Sequence, residues 1–198
     1  MSRTSGRGKL IVISGPSGSG KNTLIRELLR RSKWPLVLSV SATTRPPRPG
    51  EKDGVDYFFM TDEQFRRLAD QGGFLEYARY VGHWYGTPRE WVERQLEDGK
   101  WVLLEIDVQG ALQIKQKHPD AVLIFVRTSS LQEYERRLRQ RGTESEQDIK
   151  RRLEQAKREL EYLPYYDYVV TNDELEQAVN QIEGILDQLG GGQACTQS

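Results

Sequence analysis

Cysteine is nearly missing from this sequence: the one residue, Cys195, stands in a polar terminal stretch. A single thiol excludes an internal disulfide framework and a cysteine-based metal cluster. Histidine is scarce too; His83 and His118 fall outside every motif described below and read as surface or packing residues. Charge of one sign is also missing, because 29 Lys plus Arg balance 29 Asp plus Glu. The global basic footprint of a general nucleic-acid binder is therefore absent, although local phosphate sites remain open. The longest apolar runs, Leu10–Ile13 and Ala121–Val126, are far too short for a membrane span. The first eight residues carry no apolar signal region after their basic residues, and no internal repeat is visible. What is present is 198 residues with a mean hydropathy of −0.70. The expectation is a cytoplasmic, single-core enzyme or binding domain.

Apolar runs alternate with helical periodicity along most of the chain. Strands are expected at Lys9–Ser14, Leu36–Ser41, Trp101–Ile106, Ala121–Val126 and Asp167–Val170. Helices are expected at Asn22–Arg31, Gly110–Lys117, around Leu131, Tyr134 and Leu138, from Ile149 to Leu160, and along Leu175–Leu189. This alternation predicts an α/β fold, a parallel sheet with helices on both faces. Residues 42–98 interrupt it as an insertion. Within it, Thr43-Thr44-Arg45-Pro46-Pro47-Arg48-Pro49-Gly50 is too proline-rich for regular structure. Asp62–Gln71 reads as a helix with Asp62 as cap, Phe74–Tyr80 as a strand, and Pro88–Leu96 as a helix with Pro88 in its first turn. A second excursion, 137–158, is locally basic. Residues 1–8 and 190–198 read as flexible tails.

The sharpest motif is Gly15-Pro16-Ser17-Gly18-Ser19-Gly20-Lys21-Asn22, a Gly-x4-Gly-Lys spacing between an expected strand and an expected helix. Glycines let backbone N–H groups turn inward around a phosphate, and the helix N-terminus adds partial positive charge. Lys21 has the reach to span the outer phosphates. Asn22 replaces the Ser or Thr that usually faces Mg²⁺, with Thr23 following, so a direct hydroxyl–metal bond is not predicted and the metal ligand stays open.

The insertion supplies a second set of groups. Arg45 and Arg48 sit three apart in a stiff loop, and arginine suits bidentate phosphate capture; two solvated arginines are the plainer alternative. Tyr57, Tyr85 and Thr87 offer hydroxyls. Glu76 enters a strand, and Glu105 and Asp107 are two apart at the end of another, hence on one face if the strand continues. Such a carboxylate suits the N1–H and 2-amino donors of guanine. It equally suits magnesium, or a plain water-facing position.

These residues resemble the guanylate kinases over about residues 9–189. The matching motifs are Gly-Pro-Ser-Gly-x-Gly-Lys at 15–21, Ser-Val-Ser-Ala-Thr-Thr-Arg-Pro-Pro-Arg-Pro-Gly-Glu at 39–51 and Asp-Tyr-Phe-Phe at 56–59. They continue with Phe-Leu-Glu-Tyr-Ala at 74–78, Tyr-Gly-Thr-Pro at 85–88, Leu-Glu-Ile-Asp-Val-Gln-Gly-Ala at 104–111 and Arg-Gly-Thr-Glu at 141–144. The resemblance implies a P-loop NTPase-type core (9–41, 99–136 and 159–189), an inserted GMP-binding region (42–98) and a helical lid (137–158). It implies transfer of a phosphoryl group from ATP to GMP with Mg²⁺. It puts Gly15 to Thr23 and Asn172 at ATP, and Ser41, Glu76, Thr87 and Asp107 at guanine. Arg45, Arg48, Tyr57 and Tyr85 fall at the GMP phosphate with Glu51 in support. Arg137, Arg141 and Arg152 fall near the transferred group, so Lys21, Arg45 and these three arginines are the expected catalytic set.

Two other classes are compatible with part of this pattern. One is a non-catalytic, protein-binding module of guanylate-kinase-like fold, against which Lys21, the glycines, the arginine pair and the basic lid all stand. The other is a P-loop kinase with a different phosphorylated acceptor, against which the set Ser41, Glu76, Thr87 and Asp107 stands. A GTPase is disfavoured because no Asn-Lys-x-Asp motif occurs. The expected partners are the small nucleotides GMP and ATP, with no nucleic acid and no membrane. Oligomeric state is not legible.

Overall fold

The computed structural model describes residues 6–80, 82–140 and 145–191. In chain order the elements are β1 (Leu10–Ser14), α1 (Lys21–Arg31), β2 (Leu36–Leu38), β3 (Ala42–Thr43), β4 (Phe58–Phe59) and α2 (Asp62–Asp70). Then come β5 (Phe74–Tyr80), β6 (His83–Pro88), α3 (Arg89–Glu97), β7 (Trp101–Glu105), α4 (Val108–Lys117) and β8 (Val122–Arg127). The last are α5 (Leu131–Gln140), α6 (Glu146–Leu160), β9 (Tyr168–Thr171) and α7 (Leu175–Gly191). The architecture is α/β, with a mostly parallel five-stranded sheet of order β2-β7-β1-β8-β9 and a four-stranded sheet of order β4-β3-β6-β5.

The chain forms two compact units. The first comprises residues 1–12 and 35–122. Its β2 and β7 pair in parallel, Leu36 opposite Trp101, and Val102, Leu103 and Leu104 are fully buried. The small sheet is mixed: β3 runs parallel to β4 and antiparallel to β6, which pairs antiparallel with β5. Ala42, Phe65 and Phe74 form its core, with Phe58, Met60, Leu68 and Trp84 packed around them. The Phe65 and Phe74 rings stack at 4.3 Å.

The second unit comprises residues 13–34 and 123–198. Here β8 and β9 pair in parallel, Val126 opposite Val170. The apolar stripe of α7 (Ala178, Val179, Ile182, Ile185 and Leu186) is buried. Arg31 at the end of α1 bonds Glu176 and Glu183 of α7 at 2.7 and 2.9 Å, and also Asn180. The Trp34 indole N–H donates to Asp187 at 2.8 Å, and the ring lies against Gly190.

Several expectations shift. Strand β2 stops at Leu38, and Thr43, expected to be irregular, belongs to β3. Strand β6, His83–Pro88, is not among the expected strands, and Pro88 is expected in the following helix instead. Gly86 is there for close approach: a Cβ would lie 2.9 Å from Tyr77 Cβ and 3.0 Å from Phe74 Cδ1, a usual reason for glycine within a strand. Pro88 ends β6 rather than opening the next helix, which starts at Arg89. The described structure also reaches into both segments expected to be tails: the Gly8 N–H donates to Leu96 O at 2.7 Å, and α7 continues to Gly191.

Asp62 is not the cap of α2. Thr61 accepts from the Gln64 N–H, while the Gln64 side chain accepts from the Thr61 N–H, a capping box. Replacing Thr61 by Ala is therefore expected to destabilise the protein by about 1 kcal/mol, and Asp62→Ala by clearly less. Urea unfolding midpoints of the two variants measure the difference; equal losses would return the cap to Asp62.

Candidate functional site

In the second unit the buried residues Ile13 and Ser14, the end of β1, lead the chain into the glycine loop. Gly15, Gly18 and Gly20 have φ of 139°, 91° and 84°, a region that side chains rarely enter. At Gly20 space also forbids a side chain, since a Cβ would come within 2.5 Å of Asn172 Nδ2. Helix α1 then begins at Lys21, one residue earlier than expected, and no side chain caps it. A helix N-terminus of this kind favours an anion. The Lys21 ammonium is folded back on the loop, bonded to the Gly15 carbonyl and to Pro16 O at 3.1 Å.

Three more groups close on this loop within the same unit. Asn172 is 4% exposed, and its amide donates to Ser19 O at 2.7 Å. Arg137 on α5 donates to Glu133 at 2.7 Å, to Asp173 O at 3.1 Å and to Ser19 O at 3.5 Å. Arg152 on α6 donates to Ser17 Oγ at 2.6 Å. Hydrogen bonds from Arg136 and Arg137 hold the Glu133 carboxyl down at about 2, so it is ionised at neutral pH. The Ser14 and Ser19 hydroxyls are buried without a hydrogen-bond partner. Asn22 and Thr23 are exposed on the first turn of α1. Of the expected residues here, Arg141 lies outside the described residues.

In the first unit the groups gather on the small sheet. The Arg45 guanidinium makes two bonds to Glu51, at 2.8 and 2.9 Å, and one to Pro46 O at 2.6 Å. It lies over the Tyr57 ring at 5.4 Å. Glu51 also accepts the Arg48 backbone N–H at 2.7 Å. One carboxylate thus organises the proline-rich loop around both arginines, and the Arg45 bonds followed by the Arg48 N–H lower its pKa. Tyr57 meets Tyr85 edge-on at 6.1 Å. Ser41 stands at the entry to β3, its carbonyl accepting the Phe58 N–H at 2.9 Å.

Glu76 is the unusual member of this group, a carboxylate only 6% exposed. The β5–β6 pairing places Thr87 beside it, and the Thr87 hydroxyl donates to Glu76 Oε1 at 2.6 Å. Burial pushes its pKa up; the Thr87 bond opposes this, Asp107 nearby adds to it, and Lys117 opposes it. Asp107 does not share a strand face with Glu105, because β7 ends at Glu105. It is the N-cap of α4, its Oδ1 accepting the Gly110 N–H at 2.8 Å.

Some supporting residues were not read from the sequence. Thr43 is fully buried; its hydroxyl donates to Trp84 O at 3.0 Å and accepts the Arg45 N–H at 3.1 Å, which fixes where the Arg45 side chain starts. Its position two residues before Arg45 was the available signal. Glu133 was legible too, four residues before Arg137 on one helix.

Comparison with known proteins places the chain among relatives. The family profile described as guanylate kinase matches residues 7–189. A guanylate kinase of Thermus thermophilus is 54% identical over 180 residues, 91% of this chain and 81% of that protein. The guanylate kinase of a Synechococcus species is 52% identical over 180 residues, 91% of this chain and 82% of that one. Among solved structures, the crystal structure of guanylate kinase from Anaplasma phagocytophilum superimposes with a TM-score of 0.73. It is 35% identical and covers 93% of this chain and 87% of its own.

Burial of Glu76 has a stability consequence with a definite sign. A raised folded-state pKa means that the folded protein holds the proton more tightly than the unfolded chain. The associated stability is full below the ordinary carboxylate range and is lost as pH rises through the raised value. Glu76→Gln, neutral at every pH, is expected to melt at a higher temperature than the parent at pH 7–8. The gap should narrow as the pH falls toward 4. Thermal unfolding across that range checks it, and a lower melting temperature for the variant at pH 8 would contradict it.

Proposed function

The chain belongs to the guanylate kinase family, and on that premise we propose how its residues divide the work of moving the terminal phosphoryl group of ATP to GMP. Phosphoryl transfer needs positioning and charge neutralisation more than covalent chemistry. The loop from Gly15 to Gly20, the start of α1 and Lys21 take the ATP phosphates, with Asn22 and Thr23 on the same turn and Asn172 at the base end. To receive phosphate, Lys21 exchanges the carbonyls of Gly15 and Pro16 for phosphate oxygens. Arg137, Arg141 and Arg152 in the lid, 137–158, neutralise the group in flight. The core is 9–41, 99–136 and 159–189.

The region 42–98 takes GMP. Arg45 and Arg48, oriented by Glu51, hold its phosphate together with the Tyr57 and Tyr85 hydroxyls. Ser41, Glu76, Thr87 and Asp107 read the base. The observation that carries this assignment is the buried, Thr87-bonded carboxylate of Glu76. An ionised carboxylate can accept both the N1–H and the 2-amino group of guanine, whereas adenine offers no such pair of donors. The relatives described above give no support to a non-catalytic binding module or to another acceptor.

A magnesium ion fits this arrangement as a companion of ATP. Among the described residues no group of three or more His, Cys, Asp or Glu side chains could hold a metal. Mg²⁺ in kinases is commonly bound by substrate phosphates, water and one or two protein oxygens. The exposed Asn22 and Thr23 oxygens suit that partial role, and the bound ion would supply neutralisation of phosphate charge. Among the described residues no helix is long and apolar enough to cross a membrane. A cytoplasmic setting, with nucleotides rather than nucleic acid or membrane as partners, completes the reading.

Two variants test the division of labour. Lys21→Ala is expected to lower kcat by about 10²–10³ or more while the circular dichroism spectrum is retained; near-parental turnover would remove Lys21 from the reaction. Glu76→Gln leaves a guanine donor facing an amide N–H, at about 1–3 kcal/mol if buried. That corresponds to a rise of about fivefold or more in the KM for GMP. The KM for ATP should hold, and discrimination against AMP should relax in part. Kinetics with GMP, AMP and ATP varied separately decide it; equal losses for both substrates would displace Glu76 as the base reader.

A further inference from the structure

We propose that Gly110 is a positioning residue that sets the reach of the Glu76 carboxylate and, through it, the selectivity for the acceptor base. The inference rests on the base-reading role of Glu76 given above.

Gly110 lies inside α4, within Val108–Lys117, and has no positive φ. No backbone requirement therefore calls for glycine, and alanine there would favour the helix by roughly 0.8–1 kcal/mol. The reason lies opposite. A Cβ on Gly110 would stand 3.0 Å from Glu76 Oε2, 3.4 Å from Glu76 Cδ and 3.3 Å from Ile106 Cδ1. Glycine is the residue that lets the helix backbone approach the carboxylate this closely.

The carboxylate cannot simply step aside. Thr87 holds Oε1 at 2.6 Å from β6. The Lys117 ammonium, on the same helix as Gly110, donates to the Leu75 carbonyl at 2.8 Å and so ties the backbone next to Glu76 to α4. Gly110 is itself tied, its N–H donating to Asp107 Oδ1 at 2.8 Å. A methyl group between two anchored groups must displace the carboxylate by a few tenths of an ångström. A pair of directional bonds to a base tolerates such shifts poorly, since misplacement by about 1 Å can cost 10²-fold.

Gly110→Ala is therefore expected to raise the KM for GMP about 3–10-fold. The ratio of kcat/KM for GMP over AMP should fall in parallel. The KM for ATP and the melting temperature should hold or, for the latter, rise. A purely structural role would lower the melting temperature and disturb both substrates alike. Glu76→Asp withdraws the carboxylate by one methylene, and in that background Gly110→Ala should add no further loss. That double variant also serves if the single one does not accumulate as folded protein. An unchanged GMP constant in folded Gly110→Ala, equal rises for GMP and ATP, or an undiminished penalty in the Glu76→Asp background would each overturn the proposal. Glu76→Gln run alongside separates the two failures. If it leaves the GMP constants unaltered, the base-reading role falls and takes this inference with it. If it alters them while Gly110→Ala does not, the positioning role alone falls.

Discussion

Keeping a carboxylate out of water is the constraint around which the first unit is arranged. At 6% exposure the charged form of a carboxyl is disfavoured unless partners favour it. Glu76 finds one in the Thr87 hydroxyl at 2.6 Å and the field of another in Lys117. Thr87 is there because β6 pairs with β5, and β6 can lie so close because residue 86 is glycine. Helix α4 is there because Asp107 caps it and Lys117 bonds back to the Leu75 carbonyl. Burial leaves the Glu76 pKa raised, a kind of perturbation that clusters at functional sites.

The cationic groups follow a complementary rule, each unit taken by itself. In the second, Lys21 rests on loop carbonyls, Arg137 on Glu133 and Asp173, and Arg152 on Ser17. In the first, Arg45 rests on Glu51 and Pro46. Each of these four already has an acceptor, so on the reading proposed above their taking up a phosphate would be an exchange of partners rather than the capture of a bare cation. Exchange reduces the gain in affinity but leaves less side-chain entropy to be lost on binding.

The major elements were legible because their apolar periodicity was strong. Strand β1, helix α1, strand β8 and helix α7 lie within a residue or two of where Leu10–Ile13, Leu24–Leu29, Ala121–Val126 and the stripe from Leu175 predicted them. The small sheet was less legible, since two-residue strands such as Ala42–Thr43 and Phe58–Phe59 are too short to show a period. Strand β6 was hidden by the proline at its end and by Gly86, which close packing requires. Asp107 was picked out, but its capping role was missed because the end of β7 at Glu105 was not visible in the run Trp101–Ile106. At the glycine loop, spacing and residue type were enough to place a glycine turn between a strand and a helix. In the insertion, residue types suggested arginine for phosphate and carboxylate for base, while the bonds joining Arg45 to Glu51 and Glu76 to Thr87 depend on strand pairing that no local pattern displays.

The bond between Trp34 and Asp187 has an optical consequence. Of the four tryptophans, Trp84, Trp91 and Trp101 belong to the first unit, and Trp34 alone to the second. Its indole is packed on Gly190 and hydrogen-bonded to the last turns of α7. Replacing the other three with phenylalanine would leave one fluorophore whose emission tracks the docking of α7, apart from anything that happens around the small sheet.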